Sequence, residues 1–218
     1  NLKKKMIFNT GYLYLEKLNE DKKIYVEKYQ KKKLLFAISW NKDPKNLFDN
    51  YAQSILTKLV DLKYDVVFRT HPESLKRSKK TIKKIKEKFK NNENFEINTD
   101  LTNLKPLNDS SLLITDDGGI ALEYYIIYKK PVLYINHLKK IHNSYYNKIN
   151  IEPIEDKFKK EIGTTIEINQ LDDIEFFIKR TEKDFSLNKE KINKLIDKNQ
   201  IILNNQTLNA KKIILKLL

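Results

Sequence analysis

The 218-residue chain has no cysteine, which excludes disulfides, thiolate metal sites and cysteine nucleophiles. That absence accords with a cytoplasmic chain, where thiols are not needed as cross-links. Glycine is scarce at 4 residues and proline at 5, so the flexible linkers that separate domains are missing. There is one tryptophan, one methionine and three histidines, and each histidine therefore merits individual scrutiny. No apolar run approaches the length of a transmembrane helix, and no signal-peptide pattern opens the chain. The histidines have no carboxylate at metal-ligand spacing, so neither a metal nor a cofactor is implied.

What is present is lysine and arginine: 43 against 29 acidic residues, a net charge of +14. Such a balance calls for an anionic partner, whether nucleic acid, acidic lipid or a phosphorylated substrate. Nucleic acid is disfavoured because none of its recognition motifs appears. A hydrophobic content of 40% with 11% aromatics is enough to build one folded domain. The chain begins at Asn1 and its only methionine is Met6. It is therefore expected to be a piece of a longer protein, with a segment missing before it.

Residues 1–33 read as a polar lead-in, with a short strand at Met6–Phe8, a turn at Gly11 and a basic helical connector over Lys22–Lys33. From Leu34 strands and helices alternate, through residues 34–218. Short apolar runs at Leu34–Ser39, Asp65–Arg69, Phe95–Ile97, Leu112–Thr115, Pro131–Ile135 and Thr164–Ile168 predict strands. Helical spacing follows at Leu47–Val60, Leu75–Lys90 and Gly119–Tyr128, and again at Leu171–Phe185, Lys189–Ile202 and Leu208–Leu218. The alternation predicts an α/β domain, a Rossmann-like parallel sheet with helices on both faces and a helical C-terminal tail. Ligands in such sheets lie beyond the carboxyl ends of the strands.

Three strand ends carry candidate chemistry. After the fourth strand come Thr115, Asp116, Asp117, Gly118 and Gly119, then Glu123 within the next helix. A helix N-terminus with two glycines favours a phosphate, and a capped turn is the bland alternative. Glu123 is the one charge on a helix that is apolar nearly all round, so it meets ribose hydroxyls, pairs with a basic side chain, or stands exposed at the helix mouth. After the second strand, Arg69 could grip phosphate with two donors. His71 could donate to a phosphoryl oxygen or leaving group, or simply cap a helix. After the first strand stand Ser39, Trp40 and Asn41. Ser39 or Asn41 could reach a phosphate, and Trp40 packs beside a base or at the core edge. His137 and His142 read as loop residues. The lysines of Leu75–Lys90 form a solvated face or adhere to an anionic membrane surface.

Together these residues resemble the C-terminal domain of the CDP-glycerol glycerophosphotransferases, the teichoic-acid and capsule polymerases, a family similar in fold to GT-B glycosyltransferases. The resemblance rests on Ala37-Ile38-Ser39-Trp40, on Arg69-Thr70-His71-Pro72, and on Thr115–Glu123 with Lys130-Pro131-Val132. Thr10-Gly11-Tyr12 is similar to the family's interdomain segment. The resemblance implies a donor-binding half that holds a nucleotide-activated donor, with His71 near its phosphates. It implies a polymer or lipid-linked acceptor and a place in the cytoplasm, peripheral to the membrane. Gly118 and Gly119 stand where the family has a serine pair, and Asp117 where it has a tyrosine. The family's His-Gly-Thr motif does not occur, so the acceptor half is expected to be absent and the fragment inactive alone. The Asp-Asp-Gly-Gly stretch with its following Glu also resembles UDP-GlcNAc 2-epimerases. The rival readings are such an epimerase-like enzyme and a non-catalytic basic module that docks on membrane or nucleic acid.

Overall fold

Alternate residues of each central strand face opposite layers of the molecule, and both layers are apolar. The computed structural model describes residues 6, 8–22, 32–139, 143, 145–148, 150–199, 201 and 205–217. Six strands form one parallel sheet: β1 (Lys33–Ala37), β2 (Asp65–Arg69), β3 (Phe95–Asn98), β4 (Leu112–Thr115), β5 (Val132–Asn136) and β6 (Thr164–Glu167). Their spatial order is β3-β2-β1-β4-β5-β6, the doubly wound order in which the chain reverses direction between β1 and β4. On β1, Leu34 and Phe36 join a core with Phe48, Ile55, Leu56 and Ile178. Leu35 and Ala37 join the opposite core with Tyr124, Tyr125 and Phe158. Full burial of each such side chain contributes about 1.5–3 kcal/mol, and this two-sided burial explains the uninterrupted apolar runs.

The helices are α1 (Leu13–Lys22), α2 (Leu47–Asp61), α3 (Pro72–Arg77), α4 (Lys79–Lys88), α5 (Lys105–Asp109), α6 (Ile120–Glu123), α7 (Ile154–Ile162), α8 (Ile174–Lys198) and α9 (Gln206–Leu217). Asn46 caps α2 by accepting from the Asp49 N–H at 2.8 Å. Helix α6 widens into a π-helical turn over Tyr124–Tyr128 and stops at Lys129, whose φ of 52° is left-handed. Pro131 follows and cannot continue it.

Several expectations are revised. The basic helix expected over Leu75–Lys90 is two helices. The break is at Ser78, whose backbone leaves the helical region at φ −109° and ψ 37° and whose buried hydroxyl donates to Asp49 Oδ2 at 3.0 Å. The helices expected at Leu171–Phe185 and Lys189–Ile202 run together as α8, and Ile168–Asp173 is a 3-10 turn. Strand β1 ends at Ala37, leaving Ile38 and Ser39 in the turn. Met6 and Phe8 lie outside any strand. The polar lead-in contains α1, whose Leu15 and Leu18 are buried in the second core. The connector expected over Lys22–Lys33 falls largely outside the described residues, as do His142 and residues 202–204.

Helix α1 is clasped to α9. The Glu16 carboxylate accepts from the backbone N–H of Gln206 at 3.2 Å, from that of Thr207 at 2.8 Å and from the Thr207 hydroxyl at 2.6 Å. An acid placed on the exposed first-turn N–H groups of a helix is a favourable cap. Gly11 packs directly on Gln206 with φ of 77°, where an added Cβ would meet the Gln206 side chain at 2.7 Å.

Candidate functional site

The crevice lies at the reversal point of the sheet, between the carboxyl ends of β1 and β4. Asp116 spans it. Its Oδ1 accepts the Ser39 N–H at 2.9 Å and its Oδ2 accepts the Ser39 hydroxyl at 2.5 Å. The two strand ends are thereby locked together. Thr115, fully buried, donates its hydroxyl to the Ala37 carbonyl at 2.5 Å and reinforces the same junction. Asp116 and Thr115 thus build the crevice from behind.

A cavity of about 210 Å³ opens beside this junction. Ser39, Arg69, His71, Gly118 and Gly119 line it together with Ile38, Leu101 and Ile120. The loops after β1, β2 and β4 therefore converge on one space. His71 caps α3, its Nδ1 accepting the Glu73 N–H at 3.1 Å. A ring nitrogen that accepts carries no proton, so the imidazole proton sits on Nε2 as a donor. The capping role and the place at the cleft coexist in one side chain.

Arg69 is 7% exposed and holds the segment after β3. Its guanidinium donates to Asn98 Oδ1 at 2.7 Å, to the Leu101 carbonyl at 2.7 Å and to the Asn103 carbonyl at 2.8 Å. Burial lowers its pKa from the usual value. In this state the fork expected to grip phosphate is positioning the loop that carries Leu101 to the cleft.

Gly118 N–H donates to the Asp116 carbonyl at 2.8 Å, and the Gly118 carbonyl accepts from Ala121 at 3.2 Å. At Gly119 an added Cβ would meet nothing within 4 Å. Neither glycine has a left-handed φ. Their smallness therefore serves the space outside the backbone, which opens the first-turn N–H groups to an approaching group.

The same two glycines line a second cavity of about 180 Å³ on their other side. It is bounded by Asp117, Tyr134 and the α7 residues Glu155, Asp156 and Lys159. Lys159 donates to Asp117 Oδ1 at 2.7 Å and to Asn136 Oδ1 at 2.9 Å, and lies over the Tyr134 ring. Sequence reasoning missed this wall, because α7 was not anticipated. Its signal was Ile154, Phe158 and Ile162 spaced four apart after Pro153.

The Tyr12 phenol donates to Glu123 Oε1 at 2.9 Å, and the charge of Arg69 acts on the same carboxylate. Burial raises the Glu123 pKa against that bond. Glu123 is not among the residues lining either cavity. Trp40 is half-buried under the Arg77 guanidinium, 5.2 Å from the ring centroid. Asn41 Oδ1 accepts the Asp43 N–H at 3.0 Å. His137 packs edge-on against Tyr51, with Nε2 2.6 Å from the Lys45 carbonyl oxygen. Asn41 and His137 border a small pocket with Ser39, Asp116 and Asp117, and neither they nor Trp40 line the first cavity. Among the described residues no group of three or more His, Cys, Asp or Glu side chains could hold a metal ion. No helix among them is long and apolar enough to cross a membrane.

The sheet order, the crevice and the helices on both faces define an α/β Rossmann-like domain, of the kind that forms one half of a GT-B fold. A scan against protein-family models finds no match, and a search of curated proteins finds no relative. Solved structures do match. One is a Methanocaldococcus jannaschii UDP-GlcNAc 2-epimerase in complex with UDP-GlcNAc and UDP, with a TM-score of 0.51 and 19% identity over 80% of this chain and 48% of that one. Another is a putative UDP-N-acetylglucosamine 2-epimerase from Listeria monocytogenes, with a TM-score of 0.50 and 15% identity over 94% of this chain and 52% of that one. The wall teichoic acid polymerase TagF aligns with a TM-score of 0.49 and 20% identity over 92% of this chain and 45% of that one. The chain spans about half the length of the two epimerase structures. At these identities the likeness is one of fold.

Proposed function

We propose that the cleft binds the diphosphate of a nucleotide-activated donor, and that the chain is the donor-binding half of a transferase. The observation that carries this is the convergence of His71 with Gly118 and Gly119 on one cavity at the reversal point. The amides at the start of α6 and the Nε2–H of His71 offer hydrogen bonds to phosphate oxygens. As the bond to the leaving nucleotide breaks, negative charge grows on its terminal phosphate. A donor already placed there stabilises that charge without reorganising. The transferred group is a glycerol phosphate or sugar and the acceptor a cell-surface polymer, by the resemblance carried by Arg69–Pro72 and Thr115–Glu123.

An epimerase-like reaction on the nucleotide sugar itself is the second reading, favoured by the Asp116–Gly119 turn followed by Glu123. Both require the diphosphate site. Calorimetric titration of the chain with CDP, UDP, CDP-glycerol and UDP-GlcNAc tests it. Binding at micromolar to millimolar levels is expected, weakened about tenfold or more by His71→Ala. No binding at millimolar concentration refutes the reading. Incubating the longer protein with UDP-GlcNAc separates the two: a new free or nucleotide-linked sugar without acceptor supports the epimerase.

A further inference from the structure

The paired glycines form a saddle between two cavities of unlike chemistry. On one side the first cavity is walled by Ile38, Pro72, Leu101 and Ile120. On the other the second presents Glu155, Asp156 and Lys159 from the first two turns of α7. At about 210 and 180 Å³ neither alone reaches the ~300–1,000 Å³ typical of a complete small-molecule site; together they fall within its lower end.

We infer that the two cavities are lobes of a single donor site, with the apolar lobe taking the base and the charged lobe taking the hydroxyl-rich group that is transferred. This rests on the diphosphate reading above, since the diphosphate must cross the saddle at Gly118 and Gly119. A planar base gains from apolar walls, which hydroxyls would not. A sugar or glycerol has hydroxyls that donate well to carboxylates, and hydrogen bonds to charged groups are the stronger ones. Glu155 is exposed on the first turn of α7. Asp156 stands 4.0 Å from Lys139, a loose pairing that leaves oxygen lone pairs for a ligand. Lys159, with 17% of its side chain exposed, is pinned by Asp117, Asn136 and the Tyr134 ring. It fixes the floor of the lobe and offsets the carboxylate charge beside an incoming diphosphate. Residue 117 couples the two halves of the site: it precedes the saddle and holds the floor.

The test compares each activated donor with its own nucleoside diphosphate, CDP-glycerol against CDP and UDP-GlcNAc against UDP, by calorimetry on the chain. The unaltered protein is expected to prefer at least one donor over its diphosphate by about tenfold or more. The double variant Glu155→Gln, Asp156→Asn should lose that preference and bind the diphosphate within about twofold of the original. Its melting temperature, unchanged within a few degrees, shows that α7 remains folded. If the diphosphates bind and no donor gains over them, or if the variant weakens diphosphate and donor alike, the inference is overturned and the diphosphate site stands. If no diphosphate binds, both fall together.

Discussion

Replacing Arg69 separates two roles for the same guanidinium, and the structure supplies the magnitude. Three hydrogen bonds tie it to Asn98, Leu101 and Asn103. A bond involving a charged group contributes about 1.5–3 kcal/mol. The three are not additive, and the vacated carbonyls regain some water at the cavity mouth. Arg69→Ala should therefore lower the unfolding free energy by about 3–5 kcal/mol. Arg69→Lys keeps the charge but not the fork, so it should recover only part of the loss. Urea titration followed by circular dichroism measures both. Nucleotide affinity should fall in the same order, since Leu101 loses its support. If Arg69 served only to grip phosphate, the alanine variant would keep its stability within about 1 kcal/mol while binding collapsed. That result would refute the loop-holding argument.

Glu123 gives a pH signature. Burial raises its pKa, so the folded protein binds this proton more tightly than the unfolded chain does. Stability from this group is therefore lost as pH rises from the ordinary value of 4.5 through the folded value. Glu123→Gln should flatten that slope and raise the urea midpoint at pH 7.5; an unchanged slope between pH 4.5 and 7.5 would contradict it. Gly163→Ala places a Cβ 2.6 Å from the Lys159 carbonyl and 2.7 Å from the Tyr134 ring. It should cost about 1–3 kcal/mol and weaken donor binding through Lys159, both readable from the same titrations. The exposed lysines of α4 should bind vesicles containing anionic lipid at about 1 kcal/mol per well-placed cation. Changing Lys79, Lys80, Lys83 and Lys84 together to glutamine should cut cosedimentation at least about tenfold at low salt, and unaltered sedimentation would rule the face out.

The strands were legible because burial on both faces writes itself as runs such as Leu-Leu-Phe-Ala and Leu-Leu-Ile-Thr. The strand ends then pointed to His71 and the paired glycines. What the linear pattern concealed depends on partners distant in sequence. Ser78, where the basic helix divides, is tied by its hydroxyl to Asp49, 29 residues away. Tyr12 reaches Glu123 across 111 residues. Helix α7 is short and carries many charges, and its stripe of Ile154, Phe158 and Ile162 was overlooked between the expected strands. The site wall it supplies emerges only once β5 and β6 are paired.

The clasp of Glu16 on the amides of 206 and 207 joins segments about 190 positions apart. Bringing such remote stretches together carries a large loop entropy, which the sheet must offset before the seam can hold. The seam should therefore close late in folding and open early under denaturant. Amide exchange at Thr207 would then act as a local gauge of fraying, running ahead of the strands it encloses.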